Sequence, residues 1–238
     1  RMIYSIPSDI AKVDADGDGN VDRLYVGDMG GRMWRFDIGD AANTASWTAK
    51  ILFNAQGKIF YPPDVTLEND SGNYEMVFFG TGDRENPKGE LSSINRLYAI
   101  KDKIPYPNTP IVEGDLKDVT QDLLQEDGTD KASILNELRN KQGWLIKLDQ
   151  RAGEKCLSSP VVFFGVVYYT TFAPTVEGQS NICHIGPGSG IFYAVDFKPG
   201  TAVFDLDVTN NEGGEIVIKR SDRSKVIGPA IPSSAIIT

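Results

Sequence analysis

The chain has 238 residues, 33 acidic and 24 basic side chains, a net charge of −9 and 40% hydrophobic content. That length suits one large domain or two small ones with a substantial core, and the acidic excess argues against a nucleic-acid partner, whose phosphates demand a basic face. No apolar run approaches the about 20 residues of a membrane helix, and the start at Arg1 leads to the expectation of a segment from something longer.

The first stretch, Ile6 to Val13, is short and β-branched and reads as a strand. It leads into Asp14-Ala15-Asp16-Gly17-Asp18-Gly19-Asn20-Val21-Asp22. Calcium takes about 6–8 oxygen ligands, which one short loop can supply when carboxylates recur at every second residue around a tight turn. Asp14, Asp16 and Asp18 hold the first, third and fifth positions of such a loop. Gly19 follows where the chain must turn sharply, Asn20 offers its backbone carbonyl, and Asp22 binds directly or through water. Position twelve is Tyr25, where a helix-flanked loop carries a bidentate Glu. The missing oxygens must come from Asp22, from water or from elsewhere. An acidic surface turn is the plain alternative, but four carboxylates on nine residues repel one another unless a cation sits among them. Arg23-Leu24-Tyr25-Val26-Gly27 also reads as a strand, so the loop is expected at a β-hairpin tip rather than between helices.

Further on, Met33-Trp34-Arg35-Phe36-Asp37, Leu97-Tyr98-Ala99-Ile100-Lys101 and Phe192-Tyr193-Ala194-Val195-Asp196 repeat one pattern. Each follows a hairpin partner: Leu24–Gly27, Met76–Gly80 and Val166–Phe172. Outer strands are expected at Trp47–Phe53, Trp144–Leu148 and Ile216–Lys219. The motifs Ile6-Pro7-Ser8-Asp9, Leu157-Ser158-Ser159-Pro160 and Ile231-Pro232-Ser233-Ser234 mark unit starts, and Tyr61-Pro62-Pro63-Asp64 is a weaker copy. The reading is an all-β single domain over 1–238, a modified β-propeller with quinoprotein-like blades of four antiparallel strands. Blades are expected at about 6–53, 61–148 and 157–219, with the next beginning at 231: a partial ring of three blades and one strand. The rest of the ring would come from the remainder of its own chain. A helical insertion at about 115–142 is expected to hold two short helices. Leu116, Val119, Leu123 and Leu124 recur at helical spacing, as do Ile134, Leu135 and Leu138, with Asp130 as N-cap and Gly143 past the end.

Other residues carry weaker signals. Cys156 and Cys183 are compatible with a disulfide at an oxidising cell surface and with buried free thiols. His184 reads as a loop residue, because a zinc site needs about four ligands. Glu75, Asp83 and Glu85 offer carboxylates in the manner of a glycosidase, but read better as solvated loop residues. Trp34, Tyr98, Trp144 and Tyr193 read as packing between blades rather than as a sugar platform. No catalytic constellation emerges.

The stretch from Lys12 to Asp37, with its loop, its Tyr25-Val26-Gly27-Asp28 turn and its Met33-Trp34-Arg35-Phe36-Asp37 strand, closely resembles the C-terminal domain of the PilY/PilC proteins of bacterial type IV pili. Gly143-Trp144-Leu145-Ile146, Gly153-Glu154-Lys155, Ser158-Ser159-Pro160-Val161-Val162 and the run from Val167 to Thr175 continue the likeness. So do Gly80-Thr81-Gly82 and Ile231-Pro232-Ser233-Ser234, so that it spans essentially the whole chain. The resemblance implies a non-enzymatic calcium-binding propeller on a pilus tip-associated biogenesis factor and adhesin. Its ligands would be Asp14, Asp16, Asp18 and Asp22, with the carbonyl of Asn20. It further implies export through the periplasm to the cell surface, pilus tip or outer membrane. The implied partners are pilins or minor pilins and host-cell or abiotic surfaces, and the implied roles are assembly, attachment and twitching motility, with calcium biasing extension against retraction. Some members carry Arg-Gly-Asp for integrins; here Gly82-Asp83-Arg84 stands in a different order, and integrin binding is not carried over. The main rival is a quinoprotein dehydrogenase, which binds pyrroloquinoline quinone and draws calcium ligands from separate blades over an adjacent Cys-Cys pair. Here the ligands are contiguous and the cysteines separated. A calcium-stapled surface adhesin unrelated to pili is the third reading.

Overall fold

The computed structural model describes residues 2–40, 42–70, 72–103, 109–175, 188–211, 213 and 215–237. Three sheets follow one another along the chain. The first is an antiparallel run of β1 (Ala11–Val13), β2 (Arg23–Gly27), β3 (Arg32–Asp37) and β4 (Thr48–Asn54). The second contains β5 (Asp64–Glu68), β6 (Tyr74–Gly80), β7 (Arg96–Lys103), β8 (Lys117–Asp118) and β9 (Gly143–Lys147), in the order β5-β6-β7-β9-β8. The third contains β10 (Lys155–Cys156), β11 (Val161–Phe163), β12 (Val166–Pro174), β13 (Gly188–Asp196) and β14 (Ser224–Gly228). Here β10 and β11 both pair with β12, which is followed outward by β13 and β14. This is a partial ring of propeller blades, each starting with a hairpin and adding strands outward.

The middle sheet explains why the sheets stack. Side chains alternate across a strand, and β6 is buried along its whole length. Tyr74, Met76 and Phe78 enter a core shared with the third sheet, while Val77 and Phe79 enter a core shared with the first. Strand β7 divides likewise: Leu97 and Ala99 go one way, Tyr98 and Ile100 the other. Tyr98 stacks on Phe79 and meets Phe53 of the first sheet edge-on, both with ring centroids 5.0 Å apart. Trp144 fills the core toward the third sheet, and its indole N–H donates to the Phe197 carbonyl at 3.0 Å. Tyr98, Trp144 and Tyr193 are therefore packing residues between sheets. Trp34 is buried apart from both cores, its indole N–H held by Asp28 at 2.8 Å.

The insertion differs from the expected pair of helices. Among the described residues it holds one α-helix, α1 (Lys131–Asn140), capped by Asp130, whose carboxylate accepts from the Ser133 N–H at 3.0 Å. The stretch with the other helical spacing forms a 3₁₀ turn at Glu113–Asp115, the short strand β8 parallel to β9, and further turns. Leu116 packs into one core and Val119 into the other, which is strand alternation rather than a helical face. Its polar residues compete for the backbone, as Ser, Thr, Asn and Asp do. The Asp118 carboxylate accepts from the Thr120 N–H, and the Thr120 hydroxyl accepts from the Lys147 N–H. Gly143 lies past the end of the helix and opens β9, at φ +131° with an ideal Cβ only 1.9 Å from the Ala99 carbonyl oxygen, so only glycine fits there.

The outer strand of the third sheet is β14, not Ile216–Lys219. Two side chains divert that segment: Asn211 accepts from the Val217 N–H and Asp222 from the Lys219 N–H. Residues 231–237 hold no strand, though the Ser233 carbonyl accepts from the Thr170 hydroxyl at 2.7 Å. Cys156 is a buried free thiol whose Sγ lies 3.6 Å from the Ser158 carbonyl, and burial pushes it up to about 12. We expect it to resist alkylation at pH 8 in the folded protein and to react on unfolding without reductant; mass spectrometry of iodoacetamide-treated samples reads both. Cys183 and His184 lie outside the described residues.

Candidate metal centre

The acidic loop joins β1 to β2. The hairpin holds Val13 opposite Arg23, and the Asp22 N–H donates to the Val13 carbonyl at 2.8 Å, so the strands clamp both ends of the loop. Inside the clamp the carboxylates organise the backbone. Asp14 accepts from the Gly17 N–H through Oδ1 at 2.7 Å and from the Gly19 N–H through Oδ2 at 2.8 Å. Asp16 accepts from the Asp18 N–H at 3.1 Å, and Asp18 from the Asn20 N–H at 2.7 Å. Both turning points are glycines, Gly17 at φ +79° and Gly19 at φ +90°, a region that side-chain-bearing residues rarely enter.

The winding brings one carboxylate oxygen from each of Asp14, Asp16 and Asp18 within 4.8 Å of one another. The Asn20 amide and N–H hold the Asp18 carboxyl below the usual carboxylate range. Asp22 stands outside this trio. Its Oδ2 accepts from the Ala15 N–H at 2.7 Å, and its Oδ1 lies 2.6 Å from where a Cβ on Gly39 would sit, so it is tucked into the hairpin base. Asn20 points its side-chain amide at Asp18. The fit to a metal rests on the donor set: three hard, negatively charged oxygen groups, half-buried to exposed, around one turn. Such donors suit hard divalent cations rather than soft ones.

Beside the loop lies a cleft of about 560 Å³ between the first two sheets, lined by Asp16, Asp22, Arg23, Asp37, Glu68 and Glu75 among others. Two of these, Arg23 and Glu75, belong to a buried ionic chain that sequence reasoning missed. Glu75 is not a solvated loop residue. It sits on β6, 3% exposed, ion-paired to Arg23 and 3.1 Å from the Tyr25 hydroxyl. That hydroxyl donates to Asp102 at 2.6 Å, and Asp102 accepts from Arg35 at 2.7 Å. Burial raises the Asp102 and Glu75 carboxyls, and the neighbouring guanidiniums pull them back. The signal in the sequence was a charged residue at an inward position of an otherwise apolar strand, as in Tyr74-Glu75-Met76 and Ile100-Lys101-Asp102. Asp83 is also buried, paired with Lys58 at 2.6 Å, whereas Glu85 is exposed.

A stacked series of hairpin-led, mainly antiparallel sheets, with an acidic loop at one hairpin that could hold a metal ion, defines a β-propeller-like segment. The comparisons are more particular. No family model matches the chain. A type IV pilus biogenesis factor PilY1 homolog of Xylella fastidiosa is 27% identical over 253 aligned positions, covering 95% of this chain and 16% of that protein. A second PilY1 homolog of the same organism is 26% identical over 223 positions, covering 85% of this chain and 17% of its own length. The chain thus spans under a fifth of the curated relatives it matches. The crystal structure of the Pseudomonas aeruginosa PilY1 C-terminal domain superposes with a TM-score of 0.64 at 17% identity, over 92% of this chain and 54% of that one. The resemblance to the PilY/PilC C-terminal domain therefore holds in sequence and in fold. Among the described residues no helix is long and apolar enough to cross a membrane.

Proposed function

We propose that this chain is the cation-binding propeller segment of a type IV pilus biogenesis factor and that its loop takes calcium. The observation that carries this reading is the carboxylate trio of Asp14, Asp16 and Asp18, gathered on one hairpin of a chain that matches PilY1 homologues over most of its length. Asp14, Asp16 and Asp18 hold the ion, with the Asn20 carbonyl and Asp22 completing the shell directly or through water. Bound calcium supplies positive charge that cancels the mutual repulsion of these carboxylates. The segment acts without catalysis, at the cell surface or pilus tip, and the remainder of its own chain completes the ring. Its partners are pilins or minor pilins and the surface to which the cell attaches. Calcium biases pilus extension against retraction by fixing the loop.

The test is the Asp14→Ala, Asp18→Ala double variant. Both strands bury their own core, so its far-ultraviolet circular dichroism should match wild type. Calcium affinity by calorimetry should fall by at least about 100-fold, since even outer-shell changes at metal sites cost about 10–100-fold. Cells carrying it should show altered twitching zones and surface pili. Affinity within about threefold of wild type removes the loop from the site, and normal pili in a gene deletion remove the pilus reading.

A further inference from the structure

The face of β7 that gives Leu97 and Ala99 to a core continues to Lys101 and Lys103, which lie opposite Met76 and Tyr74 of β6. An ammonium thus stands where the pattern of the strand calls for an apolar side chain. Lys101 is 8% exposed, and its Nζ donates to the Leu138 carbonyl of α1 at 2.6 Å. Among the described residues that is its one hydrogen bond, and it pairs with no carboxylate. A buried charge is costly unless it is paired. Burial, and then the charge of Lys103, push the Lys101 ammonium down to about 8.

The plain reading is a cap on the C-terminal end of α1, where a cation meets about half a negative charge. The surroundings exceed that need. Lys101 lines a pocket of about 240 Å³ together with Arg139 and Lys198, walled by Met76, Leu138 and Pro199. Lys198 pairs with Asp70 at 2.6 Å and Glu68 at 3.2 Å, and Asp70 also accepts from the Tyr74 hydroxyl. Lys103 and Arg139 have no ion-pair partner among the described residues. Four cations, Lys101, Lys103, Arg139 and Lys198, therefore stand against two carboxylates, Glu68 and Asp70, a local surplus of two positive charges on a chain of net charge −9. A phosphate monoester carries about −1.5 to −2 at neutral pH on three acceptor oxygens, and lysine serves phosphate as a point charge. A carboxylate, with one negative charge, leaves half of the surplus unmet. The apolar walls suit a short organic stem on the phosphate.

We propose that this pocket binds an organic phosphate monoester, its phosphate among Lys101, Arg139 and Lys198 and its stem against Met76, Leu138 and Pro199. The probe is n-butyl phosphate, titrated by calorimetry into the full-length protein. Binding should saturate and should weaken with added salt. Arg139→Gln, a change on the exposed side of α1, should weaken it about tenfold, and Lys101→Met by at least as much, the scale of a lost charge-assisted hydrogen bond. The ester should raise the melting temperature of wild type and leave that of Lys101→Met unmoved. A lysine that only caps the helix gives the opposite result: Lys101→Met melts lower, and wild type ignores the ester. That result overturns the site, as does equal binding by wild type and both variants. Butyrate binding as tightly as the ester overturns the assignment to phosphate. Binding confined to phosphatidylcholine vesicles that carry phosphatidic acid, and lost in Arg139→Gln, upholds the phosphate and makes a lipid its source. Binding to neither form removes the site.

Discussion

Asp102→Ala is expected to lower stability by about 3–5 kcal/mol, the cost of stranding one member of a buried ion pair. Asp102 is fully buried on β7 and accepts from both the Arg35 guanidinium and the Tyr25 hydroxyl. Removing it leaves Arg35, itself 1% exposed, with a desolvated positive charge and a lost partner at 2.7 Å. Asp37 on the same strand also pairs with Arg35, but it is half-buried and lies toward solvent. The loss should appear as a drop of about 10 °C in melting temperature, at about 2–4 °C per kcal/mol for a domain of this size. It should also lower the urea midpoint with an unchanged slope. Combining Asp102→Leu with Arg35→Met should recover most of the loss, because a buried pair replaced as a whole by apolar groups is often neutral. A single-variant loss under about 1 kcal/mol would mean that water reaches the chain.

The second large effect is Trp144→Ala, with an expected loss of about 3–5 kcal/mol. Trp144 is fully buried at the junction of the second and third sheets, 6.5 Å from Phe78 between ring centroids. An alanine leaves a cavity there, and the backbone cannot close it. Strand β9 is fixed by its ladder with β7, and Gly143 abuts the Ala99 carbonyl. The Phe197 carbonyl also loses its donor. Trp144→Phe keeps most of the apolar volume and should cost clearly less. Thermal denaturation of the three proteins decides the matter: equal losses for Ala and Phe would assign the effect to the hydrogen bond instead of the cavity.

Much of the architecture was legible because hairpins write themselves locally. The strands around Leu24–Gly27, Met76–Gly80 and Val166–Phe172 carry β-branched and aromatic runs between glycine-rich turns, and each leads to the aromatic strand expected after it. The loop was legible for the same reason: its three clustered carboxylates lie within one turn of chain. What escaped the reading depends on distant partners. The spacing of Leu116 and Val119 resembles a helix until one knows that a core lies on each side of them. Ile216–Lys219 is a β-branched run like a strand, but Asn211 and Asp222 take the Val217 and Lys219 amides. Glu75 and Asp102 are far apart in sequence and become one feature only when β6 and β7 pair.

That pairing places Glu75 directly opposite Asp102, two like charges across one ladder. The arrangement makes sense as a register mark. Both faces of β6 are apolar, so a slip by one residue, which exchanges faces, would still send hydrophobic side chains into both cores. Apolar burial alone distinguishes the two alignments poorly. The charges distinguish them sharply: only one alignment presents Glu75 to Arg23 and Asp102 to Arg35 and Tyr25. In any other, carboxylates enter a dry interior without a counterion. The ionic chain thus acts less as glue than as a key, selecting one arrangement of the middle blade among several that grease alone would tolerate.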